Sequence, residues 1–175
     1  MRRTEVVAWS EKWRDAYLQE SQALRKIFLD ELVDIHHIGS TAVQAIGFAK
    51  PIIDILIVVK DIQQVDRKNG EMALLGYEAK GEYGIEGRRF FIKGGDQRSH
   101  HVHIYQEGHD QIDAHLQFRD YLRHHPDDAQ AYGELKVKLA QQYPVDVPLY
   151  QQGKDAFCKE LTRKAMRWAA DQRNS

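Results

Sequence analysis

One carboxylate interrupts the apolar run "IIDILIVV" over residues 52 to 59: Asp54, which follows shortly after a Gly39-Ser40-Thr41 turn. An ionised aspartate inside such a strand costs several kcal/mol unless it is paired, hydrogen-bonded or bound to a metal. Gly39 has no Cβ, so its backbone can approach a ligand closely or take a positive φ. Ser40 and Thr41 add hydroxyls, and a helix starting there would aim free N–H groups at an anion. A phosphate cradle facing a carboxylate-bearing strand is the layout that phosphoryl or nucleotidyl transfer requires. The cradle holds the phosphates while a hard divalent cation on Asp54, Mg²⁺ or Mn²⁺, neutralises charge at the reacting phosphorus. The ordinary alternative is a strand connection with Ser or Thr as a cap, and an Asp54 that accepts backbone hydrogen bonds.

Histidines are the next reagents, nine in all and grouped. In "HHVHIY", strand alternation puts His101, His103 and Tyr105 on one face. Beside the Asp54 strand, His101 or His103 would serve as metal ligand, general base or phosphate partner, and an Asp with two His also suits Zn²⁺. His103 is the catalytic candidate alongside Asp54. The plain reading is the polar face of an edge strand. His124-His125 reads as a helix cap, and one of His36 and His37 faces the turn. Among basic residues, Lys50, Arg88 and Arg89 are phosphate-binding candidates. Alternation separates Arg88 from Arg89, so only one points toward a phosphate. Arg98 and Arg119 are further candidates, and the lysines of "PDDAQAYGELKVK" read as ordinary complements to a helix dipole.

These residues need elements to hold them. Hydrophobic spacing predicts a helix over 11–32, a short strand over 34–38, a central strand over 52–59 and a helix from Asp61 weakened by Asn69-Gly70. "RRFFIK" and "HVHIY" read as strands. From residue 112 the pattern is helical: one helix ends before Pro126, the next runs through Gln142, and a last covers about 154–171. The expected architecture is a single α/β (α+β) domain over 1–175, with a mixed-sheet core at about 10–110 and C-terminal helices at about 111–172. The 26 acidic and 25 basic residues give a net charge of -1, which argues against nucleic-acid binding by bulk charge. One cysteine supports no disulfide framework. No stretch has the length of a membrane span or the form of a signal peptide, so the expected location is cytoplasmic, away from membranes.

The segments "HHIGSTAVQAIGFAKPIIDILIVV", "GIEGRRFFIKG", "HHVHIY", "HLQFRDYLRHHPDDAQAYGELKVKLA" and "GKDAFCKEL" occur in this order. The chain resembles the GrpB family (UPF0157-like) through them, from about residue 10 to 170. The resemblance implies a nucleotidyltransferase-like α/β core with a helical C-terminal part. It also implies an accessory role, since a similar domain is found fused behind dephospho-coenzyme A kinases. Gly39, Ser40 and Asp54 match the wider superfamily's Gly-Ser turn and first carboxylate. Leu56 stands where that pattern places a second carboxylate, and one aspartate cannot supply all the bridging and terminal carboxylates of a two-metal site. Two functional readings follow. One is metal-dependent transfer of a nucleotidyl group from a nucleoside triphosphate to an unknown acceptor. The other is a non-catalytic module, with a degenerate active site, that binds a nucleotide or coenzyme-like small molecule.

Overall fold

The computed structural model describes residues 1–175. The chain begins with β1 (Val7–Ala8), α1 (Glu11–Ile27) and β2 (Leu32–Ile38), followed by two 3-10 turns at Ser40–Ala42 and Gln44–Ile46. Then come β3 (Phe48–Ala49), β4 (Ile53–Val59), α2 (Ile62–Val65), α3 (Asn69–Leu74), β5 (Tyr77–Ala79), β6 (Arg88–Lys93) and β7 (His100–Gln106). Three helices complete it: α4 (Asp110–His124), α5 (Pro126–Gln142) and α6 (Val147–Arg173).

The main sheet has the order β2-β4-β7-β6-β5, with β4 and β7 parallel and the other pairs antiparallel; β1 and β3 form a separate ribbon. The five Ile and Val residues of β4 suit a strand with neighbours on both sides. Alternation then splits it. Ile53, Ile55, Ile57 and Val59 join Val102, Ile104, Leu24 and Phe28 in the larger core. Leu56 lies on the other face in a small cluster with Ile38 and Tyr105, against which Ile112 and Leu116 pack. The C-terminal helices build their own core from residues such as Leu122, Tyr132 and Leu161, and close it on Val43 and Ile46 of the 3-10 turns. Thus the segment right after the Gly-Ser-Thr turn is the seat of the helical part.

Several local expectations changed. α1 stops at Ile27 rather than 32, because Leu32 already pairs with Val59 in the sheet. The helix after Asp61 breaks into two short pieces separated by a 3-10 turn at Asp66–Lys68, and α6 starts at Val147 behind an Asp146 cap. β7 lies between β4 and β6, so it is an interior strand, not an edge. No helix is long and apolar enough to cross a membrane.

At Gly133, α5 packs directly on the backbone of the second 3-10 turn. A methyl group there would run into the backbone carbonyl of Ile46. On helix propensity alone Gly→Ala stabilises by up to about 1 kcal/mol. We expect Gly133→Ala instead to destabilise by about 3 kcal/mol, the cost of overpacking against backbone, as measured by urea denaturation. A stabilised variant would contradict this packing.

Candidate functional site

Asp54 and His101 are partners in the β4/β7 register, as are Leu56 and His103. His103 Nε2 lies 3.1 Å from Asp54 Oδ1, and His101 Nδ1 approaches the same oxygen at 3.6 Å. Each ring has an arginine on its other nitrogen: Arg88 at 3.4 Å from His103 Nδ1, and Arg98 at 3.4 Å from His101 Nε2. A guanidinium only donates. The nitrogen facing it therefore accepts, and the ring N–H falls on the side of Asp54. Burial works to raise the Asp54 carboxyl, but the hydrogen bonds from His101 and His103 outweigh it and hold the group far below the usual carboxylate range. Leu56, in the position of the missing second carboxylate, is fully buried.

Gly39 has φ +73°, and a Cβ there would lie 2.6 Å from Asp54 Oδ2. Only glycine lets the turn lie this close to the carboxylate. The turn does not open a helix, since Ser40–Ala42 is a single 3-10 turn. It is braced from three directions. The Trp9 indole donates to the Thr41 carbonyl at 3.0 Å, the Thr41 hydroxyl contacts His37 Nε2 at 2.9 Å, and the Arg123 guanidinium donates to the Ala42 carbonyl at 2.8 Å. Burial pushes the His37 ring down to about 4, so it is neutral at pH 7. His37 is thus the member of its pair that faces the turn, whereas His36 pairs with Asp34.

The Ser40 hydroxyl is engaged differently: it accepts from Lys136 Nζ of α5. Lys136 is 5% exposed and forms no ion pair. It shares a cleft of about 220 Å³ with Lys50, Lys154 and Arg2, and Asp54 is the only carboxylate in the lining. The ammonium groups rest on aromatic faces, Lys136 on Tyr132 at 4.5 Å and Lys50 on Tyr150 at 4.3 Å, with Lys154 also over Tyr150 at 5.0 Å. Burial and the neighbouring Lys154 charge lower Lys50 to about 8, and the same two causes pull Lys136 well down from its ordinary value. The Tyr150 hydroxyl is buried without a partner. The cleft therefore presents many hydrogen-bond donors and few acceptors.

Of the residues singled out from sequence, Gly39, Ser40, Thr41, Lys50, Asp54 and His101 line this cleft. His103 lies on the far side of Asp54, in a second cavity that also holds His115. Burial lowers the His115 ring to about 4. Arg88 and Arg89 line neither cavity. Arg88 is buried over Phe90 and donates to the Tyr83 and Glu82 carbonyls at 2.7 and 3.1 Å, so it braces His103. Arg89 points to the other face and pairs with Asp66 at 2.7 Å. His124 and His125 donate to the carbonyls of Asp120 and Tyr121, both at 2.7 Å, as helix-end residues do. Lys136, Lys154, Tyr132 and Tyr150 were missed as site residues. The one signal was phase, for Lys136 falls in step with the buried Tyr132, Gly133 and Leu139 of α5.

The donor set does not fit a divalent cation. No group of three His, Cys, Asp or Glu side chains is placed to hold a metal ion. Asp54 is the single carboxylate, two imidazole N–H groups face its Oδ1, and both nitrogens of each imidazole are occupied. Mg²⁺ or Mn²⁺ would find a single carboxylate here, with its Oδ1 already committed to the imidazoles, and Zn²⁺ requires free ring nitrogens.

Sheet order, Gly-Ser turn and helical appendage together define a nucleotidyltransferase-like α/β fold. A cytoplasmic RNA terminal U-transferase shares it at a TM-score of 0.51 and 14% identity over 77% of this chain and 42% of that one. The chain belongs to the GrpB family, whose profile, described as GrpB protein, matches residues 3–164. The crystal structure of the conserved protein GrpB from Enterococcus faecalis superposes with a TM-score of 0.90 at 41% identity, over 94% of this chain and 99% of that one. UPF0157 protein YqkA of Bacillus subtilis is 45% identical over 99% of this chain, and UPF0157 protein PA4798 of Pseudomonas aeruginosa is 38% identical over 94%. This chain spans 50% of the former's length and 68% of the latter's.

A lysine lowered from 10.5 to about 8 in the folded protein is more readily neutral there than in the unfolded chain. Its ammonium therefore costs stability in full below pH 8, and the cost fades as pH rises toward 10.5. The stability of the wild type relative to Lys50→Met should rise across that window by on the order of 3 kcal/mol, read from urea midpoints. A pH-independent difference would show that Lys50 is solvated.

Proposed function

We propose that the protein binds a phosphorylated small molecule of the nucleotide or coenzyme class, with its phosphates in the cleft between Ser40 and the lysines. The observation that carries this reading is Lys136. A buried ammonium without a carboxylate partner is costly in the empty protein, and an anion reaching Ser40 would provide the missing counter-charge. Lys50 and Lys154 approach the same space from β3's exit and from α6, so both halves of the chain would hold the ligand. Asp54, anchored by two histidines, acts in this reading as the rigid floor that fixes the Gly39 turn.

Nucleotidyl transfer is the second reading, favoured by the presence of Asp54 and Ser40 in one cleft on a nucleotidyltransferase-like fold. It requires an acceptor, and it would show as pyrophosphate release from one nucleoside triphosphate, abolished by Asp54→Asn. The accessory role in a larger protein belongs to the same binding reading, with the phosphorylated ligand supplied by the partner domain.

Thermal stability against ATP, GTP, CTP, UTP and coenzyme A tests the proposal. A ligand at about 100 times its Kd adds roughly 2.7 kcal/mol, a midpoint shift of about 5–10 °C for this size. Lys136→Met should lose that shift while the unliganded variant gains about 1 kcal/mol, since a buried unpaired cation has been replaced by an apolar chain. Retention of the full ligand shift in Lys136→Met would remove the cleft from consideration.

A further inference from the structure

The positive charge that a divalent cation would bring to this cleft is already supplied by the protein. Lys50, Lys136 and Lys154 line one wall, and none of them is paired with an acid. They stand on the rings of Tyr132 and Tyr150, which stabilise an ammonium without consuming its N–H groups. Only Lys136 spends a donor within the protein, on Ser40. The Tyr150 hydroxyl is an additional unspent group in the same lining, and the Arg98 Nε is another at the adjoining basic groove that shares Lys50 and Arg2.

The opposite charge is spoken for. Asp54 Oδ1 faces the N–H groups of His101 and His103, and its Oδ2 lies against Gly39 so closely that a methyl group there would touch it. A cation placed on Asp54 would have to displace those N–H groups and then face the lysines across the cleft. Two like charges in one small cleft repel, whereas a phosphate anion in the same space attracts every ammonium.

We infer that the ligand is bound as the metal-free anion, the three lysine ammonium groups taking the place that a divalent cation holds in a carboxylate-based phosphate site. The inference rests on the phosphate-binding proposal above and narrows it: the bound species is the free di- or triphosphate, and its magnesium complex, which carries less negative charge, is the weaker ligand.

Calorimetric titration with inorganic pyrophosphate, once in EDTA and once in excess Mg²⁺, separates the alternatives. The expected result is binding in EDTA that excess Mg²⁺ weakens by about threefold or more. Asp54→Asn should tighten pyrophosphate binding in EDTA several-fold, because the one repelling carboxylate is gone; circular dichroism checks that the variant is folded. Binding that Mg²⁺ strengthens or leaves unchanged, or a folded Asp54→Asn that loses binding, would overturn the metal-free inference and leave the phosphate reading standing. Failure of pyrophosphate, ATP and coenzyme A to bind under either condition would overturn both.

Discussion

An ammonium group has been carried into the interior with no acid against it. Lys136 lies on α5, in the helical half, and its nitrogen ends on Ser40 in the α/β half. Everything that makes this arrangement stable also shapes the cleft. Gly133, one turn earlier on the same helix, lets α5 settle on the Ile46 carbonyl, which brings Lys136 within reach of the turn. Tyr132 supplies an aromatic face in place of a counter-ion. The helices after residue 110 are therefore structural partners of the sheet and also one wall of the site.

The second organising feature is a carboxylate satisfied from within. Asp54 accepts from His103 at 3.1 Å, and the arginines behind the two histidines orient the rings. Such a chain of donors holds a side chain more firmly than a single contact does. It also commits the carboxylate, leaving it little capacity as a metal ligand. With Leu56 buried beside it in a core cluster, the strand keeps the backbone geometry of a nucleotidyltransferase-like sheet and gives up the paired acids. Lysines from β3's exit, α5 and α6 converge on the cleft beside Asp54.

Much of this was legible in the sequence, and unevenly so. Period-two alternation put His101 and His103 on one face of their strand, and the parallel pairing of β4 with β7 brings that face to Asp54. The Gly-Ser-Thr turn was recognisable by residue type, but its 3-10 form was not, because that depends on Trp9 and Arg123 from distant segments. β5 escaped notice: three residues, two of them exposed, leave no periodic signal. Arg88 and Arg89 were assigned to phosphate by their chemistry alone, yet one is held by the carbonyls of the preceding loop and the other by Asp66. Lys136 and Lys154 were overlooked for the opposite reason. A lysine in a helix is ordinarily solvated, and only its phase against Tyr132 and Leu139 distinguishes Lys136 from Lys138.

The central claim is that an oxyanion binds in the cleft against both Ser40 and Lys136. Anomalous diffraction from crystals soaked in tungstate, a heavy tetrahedral oxyanion, tests it most directly. The account predicts a peak within hydrogen-bonding distance of Ser40 Oγ and Lys136 Nζ, with Lys50 or Lys154 as a further contact, and loss of that peak in Lys136→Met. Tungstate bound only at the outer groove beside Arg3 and Arg98, with the inner cleft unlabelled, would contradict it.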